Sequence, residues 1–159
     1  MTIKNLAASV HARLTDRARK DGRPIQELLE YFAMERFLYR LSSSPHAGRF
    51  VLKGALMLRV WGAPAARPTR DIDLLGHMDN SLENLTRVVA EVCDTEVEPD
   101  GLLFKASTVK AIRIKEDADY AGVRVRFDGL LERSRIPMQI DVGFGDVVVP
   151  AATTIGYPT

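Results

Sequence analysis

The spacing of apolar residues changes along this chain, and that change limits the fold more than any other feature. Leu6, Val10 and Leu14 recur at helical spacing, with Asn5 or Ser9 expected as the N-cap. Gly22-Arg23-Pro24 breaks the pattern. From Ile25 to Leu41 the apolar residues Leu28, Leu29, Phe32, Phe37, Leu38 and Leu41 fit a second helix with one buried face. Residues 42–48, with Pro45, are expected to be a loop. The last third reads differently. Val123, Val125 and Phe127 alternate with Arg124 and Arg126, the pattern of a half-buried strand.

Further strands are expected at Phe50–Leu52, Asp71–Leu75, Leu102–Ala106, Val109–Ile114 and Met138–Val142. A helix start is expected at 55–60, a Pro/Ala/Gly loop at 62–68, and a helix at Ser81–Val92 capped by Ser81. Helices followed by a strand-rich part predict an α+β fold: a mixed β-sheet with packed helices and an N-terminal helical segment. The organisation expected is a helical segment over 1–48 packed on a core over 49–159.

At 159 residues, 46% hydrophobic and 27% charged, the chain suits one soluble core. Cys93 is the single cysteine, so no internal disulfide can form. The basic, polar first twenty residues do not read as a signal peptide, and no apolar run approaches a membrane span. A cytoplasmic protein with no membrane partner is expected. The net charge of +1 hides an asymmetry: residues 1–59 hold 11 basic and 5 acidic side chains, the rest 11 and 16. A basic flank of that kind suits a polyanion such as RNA, or simply a solvated helix surface.

Asp71-Ile72-Asp73 is the first chemical motif. On a strand, residues i and i+2 share a face about 7 Å apart at Cα. Ile72 and Leu74 would then point inward and both carboxylates outward. Two like charges side by side cost free energy unless a cation compensates, and Mg²⁺ prefers hard oxygen donors. The pattern alone is weak. Asp117-Ala118-Asp119 repeats it within a polar stretch that reads as a solvated turn.

Context adds weight. Phe50-Val51-Leu52-Lys53-Gly54-Ala55 reads as a strand entering a helix, a turn that can present backbone N–H groups to phosphate. Arg67-Pro68-Thr69-Arg70 runs directly into Asp71 and could offset triphosphate charge, or only neutralise the aspartates. Asp141 lies between Ile140 and Val142, where an unpaired carboxylate is costly, so a partner ion or base is implied. Arg124 and Arg126 share one strand face, and Arg124 is assigned to the site. Asp146 reads as a turn residue, His11, His46 and His77 as surface or capping residues, Trp61 as a packing residue, and Cys93 as a small buried hydrophobe.

Taken together, Lys53-Gly-Ala-Leu, Arg67-Pro-Thr-Arg-Asp71-Ile-Asp73-Leu, Tyr120-Ala-Gly-Val-Arg124-Val-Arg and Ile140-Asp141-Val-Gly-Phe-Gly-Asp146 resemble the AbiEii/AbiGii toxin family of nucleotidyltransferases. Asn5-Leu-Ala-Ala-Ser-Val and Glu35-Arg-Phe-Leu-Tyr-Arg-Leu-Ser share the likeness. It implies a DNA polymerase β-like nucleotidyltransferase fold, with Asp71, Asp73 and Asp141 as catalytic metal ligands for two Mg²⁺ ions, or Mn²⁺ instead. Lys53, Gly54 and Ala55 would form the phosphate-contacting turn, with Ala55 where the family more often has Ser or Gly. Arg67, Thr69, Arg70 and Arg124 would contact the nucleotide.

The activity implied is transfer of a nucleoside monophosphate from an NTP to an acceptor, an RNA (tRNA) end. The setting is a toxin–antitoxin pair in phage defence by abortive infection, with the antitoxin encoded beside the toxin. Relatives continue past Tyr157-Pro158 into a helical region expected to be absent here. The alternative is therefore a nucleotide- or antitoxin-binding module without catalysis. A third reading makes the aspartates structural.

Overall fold

The computed structural model describes residues 3–53, 71–117 and 120–144. The helix expected at 55–60, the loop at 62–68, and Gly54, Ala55, Trp61, Arg67, Thr69, Arg70, Asp119 and Asp146 lie outside the described residues.

Helix α1 spans Ile3–Asp21 and α2 spans Ile25–Ser43. Asn5 and Ser9 therefore sit inside α1 rather than capping it. The break between the helices is built as expected. Gly22 takes φ +64°, and the Arg23 N–H bonds the Ala18 carbonyl, closing the end of α1. Pro24, with φ −60°, then precedes α2. Helix α2 runs to Ser43, two residues into the segment expected to be a loop. A short 3₁₀ turn at Ala47–Arg49 leads into β1, Phe50–Lys53.

Strand β2 spans Ile72–Gly76 with alternating burial. Ile72 and Leu74 are fully inside and Asp73 is on the other face, as the alternation predicts. Helix α3 spans Leu82–Cys93, and the Ser81 hydroxyl accepts the Asn84 N–H as its cap. Strands β3 (Leu102–Asp117), β4 (Tyr120–Leu131) and β5 (Ser134–Gly143) complete the described elements.

The two strands expected at Leu102–Ala106 and Val109–Ile114 are one strand. A register shift between Lys105 and Lys110 explains the misreading. Before the bulge, even-numbered Leu102 and Phe104 are buried, whereas after it Val109 is buried and Lys110 and Ile112 are exposed. Five residues of β3 from Lys105 to Lys110 span two of β4, and that odd excess of three reverses which parity faces the core, so a period-two pattern breaks there. Thr108 holds the bulge: its hydroxyl donates to the Lys105 carbonyl and accepts the Asp128 N–H. Asp117 pairs with Tyr120 at the end of this hairpin.

The sheet order is β1-β2-β5-β4-β3. Only the β2–β5 pair is parallel; β1–β2, β5–β4 and β4–β3 are antiparallel. The fold is thus α+β with a mixed sheet. The helices bury one face of it. Met34, Phe37 and Leu38 of α2 and Leu85, Val89 and Val92 of α3 share one core with Ile72, Val125, Phe127 and Ile140. Phe37, Phe104 and Phe127 form a triangle with ring centroids 5.1–5.9 Å apart. The boundary expected at residue 48 therefore separates elements that share a core. The opposite sheet face carries Asp73, Asp141, Arg124 and Arg126.

A buried ion-pair network ties α2 to the start of β3. Arg40 grips Asp100 through two N–H groups at 2.9 Å each, and Arg36 Nε adds a third bond at 2.7 Å. Asp100 also accepts the Leu102 N–H. His46, expected in a surface or capping role, precedes the 3₁₀ turn at its N-cap position but is 4% exposed; its Nε2 meets Glu91 Oε1 at 2.7 Å. The turn after α2 folds back onto α3, which no local pattern announces. His11 bonds Ser134, and His77 is exposed.

Candidate active site on the open sheet face

The carboxylates expected to act together come from β2 and β5. Asp73 and Asp141 are direct register partners across the parallel pair, so their side chains emerge side by side on the open face. The row continues in both directions. Lys53 is the register partner of Asp73 on β1, and Arg124 that of Asp141 on β4. Asp71 stands one residue before β2, on the same side as Asp73.

Arg124 holds Asp141 in a two-point ion pair, Nε to Oδ1 at 2.8 Å and Nη2 to Oδ2 at 3.1 Å. That hydrogen bond raises the pKa of Arg124 further, and the charges of Asp141, Asp71 and Asp73 add to it. The Asp71 carboxyl is pushed above the usual carboxylate range, first by burial and then by the charge of Asp141. Arg124, a hydrogen bond from Gln139, and Arg126 pull it back less strongly. A carboxylate strained in this direction gains when a cation arrives.

Gln139 is a site residue that the sequence reading missed. Arg126 Nε donates to its Oε1 at 2.9 Å, which leaves the amide N–H₂ to serve Asp71. Its signal was available: residue 139 is two before Asp141 on one strand and must share its face. An open groove of 830 Å³ runs beside the acidic row, lined in part by Asp71, Arg124, Arg126, Gln139, Lys110 and Ile112.

The donors fit a hard divalent cation in kind, since all three are carboxylates. Among the described residues no three His, Cys, Asp or Glu side chains converge as a ready metal cluster. The Arg124 guanidinium occupies the position against Asp141 that a cation would share. Lys53 is placed by backbone register, while Gly54, Ala55, Arg67, Thr69 and Arg70 lie outside the described residues.

A model of the family described as "Nucleotidyl transferase AbiEii toxin, Type IV TA system" matches residues 36–159. The chain belongs to the AbiEii family. The motif-based resemblance is thereby borne out. No curated protein sequence gives a match. Two solved structures share 17% identity with this AbiEii chain. One is described as "putative nucleotidyltransferase from H. pylori", with a TM-score of 0.45, covering 76% of this chain and 46% of that one. The other is JHP933 from Helicobacter pylori, with a TM-score of 0.46, covering 77% and 46%. The AbiEii chain thus spans a little under half the length of either.

Proposed function

We propose that this AbiEii-family chain carries the catalytic core of a Mg²⁺-dependent nucleotidyltransferase that moves a nucleoside monophosphate from an NTP to an RNA end. The reading places it in the cytoplasm as the toxin of a pair, restrained by a cognate antitoxin. The observation that supports it most is the cross-strand placement of Asp73 beside Asp141, with Asp71 at the mouth of the same strand. Bound Mg²⁺ would draw charge off the triphosphate and off the acceptor oxygen.

The residues divide the remaining work. Asp71 and Asp73 hold the cation side of the site from a strand whose alternate residues are locked in the core, so the carboxylates need little reordering. The acceptor hydroxyl approaches from the Asp141 side. Its oxygen bonds the α-phosphorus, the bond from that phosphorus to pyrophosphate breaks, and Asp141 takes the hydroxyl proton. Arg124 keeps the Asp141 carboxylate oriented and offsets phosphate charge. Lys53, Gly54, Ala55, Arg67, Thr69 and Arg70 are assigned to the phosphates.

The test is Asp71→Ala and Asp73→Ala, each assayed for labelled-NTP transfer onto total RNA and for growth arrest on expression. Loss of both activities is expected in each variant; full retention in both sinks the mechanism.

One observation favours a second reading, a binding module without catalysis. Both oxygens of Asp141 are engaged by Arg124, which leaves that carboxylate less free to serve the reaction. Calorimetry with Mg²⁺-NTP beside the transfer assay separates the two, since binding without transfer selects the module.

A further inference from the structure

The open sheet face continues past the acidic row into β4 and β3, and its chemistry changes sign there. Arg126 lies two residues from Arg124 on β4, and Lys110 is its register partner on β3. Both are exposed. Arg126 spends one N–H on the neutral Gln139 amide, and among the described residues neither Arg126 nor Lys110 forms an ion pair with a carboxylate. Guanidinium offers five donors and ammonium three, so most of this hydrogen-bonding capacity faces the groove. Ile112, the register partner of Arg124, is 48% exposed beside them. Thr108 and Ser107 line the same groove at the bulge.

The bulge is what creates this surface. Without its odd number of extra residues, Val109 and Ala111 would face the groove, and Lys110 would point into the core.

We infer that Lys110 and Arg126 form the binding track for the sugar–phosphate backbone of the RNA acceptor, leading its terminal hydroxyl to Asp141. The inference rests on the nucleotidyltransferase reading and adds to it the direction from which the acceptor enters. The row order supports that direction. Lys53 lies on the β1 side of the aspartates by register, whereas Arg126 and Lys110 lie on the β4–β3 side, next to the carboxylate assigned to the acceptor hydroxyl. Two exposed cations side by side, in no ion pair among the described residues, suit a polyanion. Exposed Ile112 offers a flat apolar contact for a sugar or base.

The test measures binding rather than turnover, so it stands apart from the aspartate variants. The probe is a fluorescein-labelled RNA hairpin with a single-stranded 3′ tail, followed by anisotropy across a salt series. Lys110→Ala/Arg126→Ala is expected to weaken RNA binding about tenfold and to lower the slope of log affinity against log salt by about 1.4, the share of two phosphate contacts. The single variant Lys110→Ala should keep Mg²⁺-NTP affinity by calorimetry within about twofold, because sites without shared partners are independent. Lys110→Glu, which does not touch the Gln139–Asp71 contact, should weaken RNA binding further. Circular dichroism melts confirm that each variant is folded. Unchanged RNA affinity overturns the inference. A loss of NTP affinity in Lys110→Ala matching its loss of RNA affinity also overturns it, because the track then serves the triphosphate. Equal binding of a polyglutamate peptide to this surface, lost in the same variants, overturns it in favour of an acidic protein partner.

Discussion

Arg124 meets Asp141 with two parallel bonds, Nε–Oδ1 at 2.8 Å and Nη2–Oδ2 at 3.1 Å, across neighbouring strands of the open face. The pair is partly shielded, with the Asp141 side chain 13% exposed and that of Arg124 30%. Removing the guanidinium leaves Asp141 facing Asp71 and Asp73 without this counter-charge. Arg124→Ala is therefore expected to lower the melting temperature in metal-free buffer. Mg²⁺ should recover part of the loss, since a cation can take the place of the guanidinium. Melts with and without Mg²⁺ check this, and a deficit that Mg²⁺ leaves untouched argues against a metal at Asp141. Arg124→Lys should restore less than the native residue, because an ammonium cannot make the two-point fork.

Asp100 carries an acid-sensitive share of stability. Burial pushes its carboxyl up, but the hydrogen bonds from Arg40 and Arg36 outweigh that and hold it below the usual range. A depressed folded-state pKa contributes stability that is full above the unfolded value of about 3.9 and fades as pH falls toward the folded one. Asp100→Ala should cost about 3 kcal/mol near neutral pH, since it strands Arg40 in a buried position. Urea titrations at several pH values should show a steep acid limb in the native chain below about pH 4 and a flatter one in the variant.

Gly101 and Gly22 make a matched pair. Both have positive φ, +86° and +64°, but a Cβ at Gly101 would lie 3.0 Å from the Ala7 Cα, whereas nothing lies within 4 Å at Gly22. Gly101→Ala combines backbone strain with a clash against α1, where the backbone cannot swing aside. It should cost about 1–3 kcal/mol in denaturant unfolding. Gly22→Ala should fall at the low end of that range, and equal costs at the two positions would contradict the packing of α1 on this turn.

Cys93 is the buried last residue of α3, and burial, with a smaller push from Asp94, raises its thiol pKa to about 12. Native protein should not react with a thiol reagent at pH 8, whereas urea-unfolded protein should react fully, because the thiolate is the nucleophile. Rapid labelling of the folded chain would contradict that burial.

Local patterns in the sequence determined a good deal. Ile72 and Leu74 inward with Asp71 and Asp73 outward follows from period-two alternation. The Ser81 cap and the stripe of Leu85, Val88, Val89 and Val92 follow from helix periodicity, and the ordered motifs carried the family. Tertiary structure decided who stands beside whom. Alternation assigns Asp73 and Asp141 each to a face, but only strand register, a property of two distant segments, makes them neighbours. The same holds for Arg124 on Asp141 and for Gln139 on Asp71. A three-residue register shift near Thr108 turned Lys110 and Ile112 toward the groove, and the fold of residues 44–49 back onto α3 buried His46 against Glu91. Face and periodicity are set by bonds a few residues apart, so the sequence carries them openly. Register is set by how the whole core closes, so no single stretch of the chain contains it.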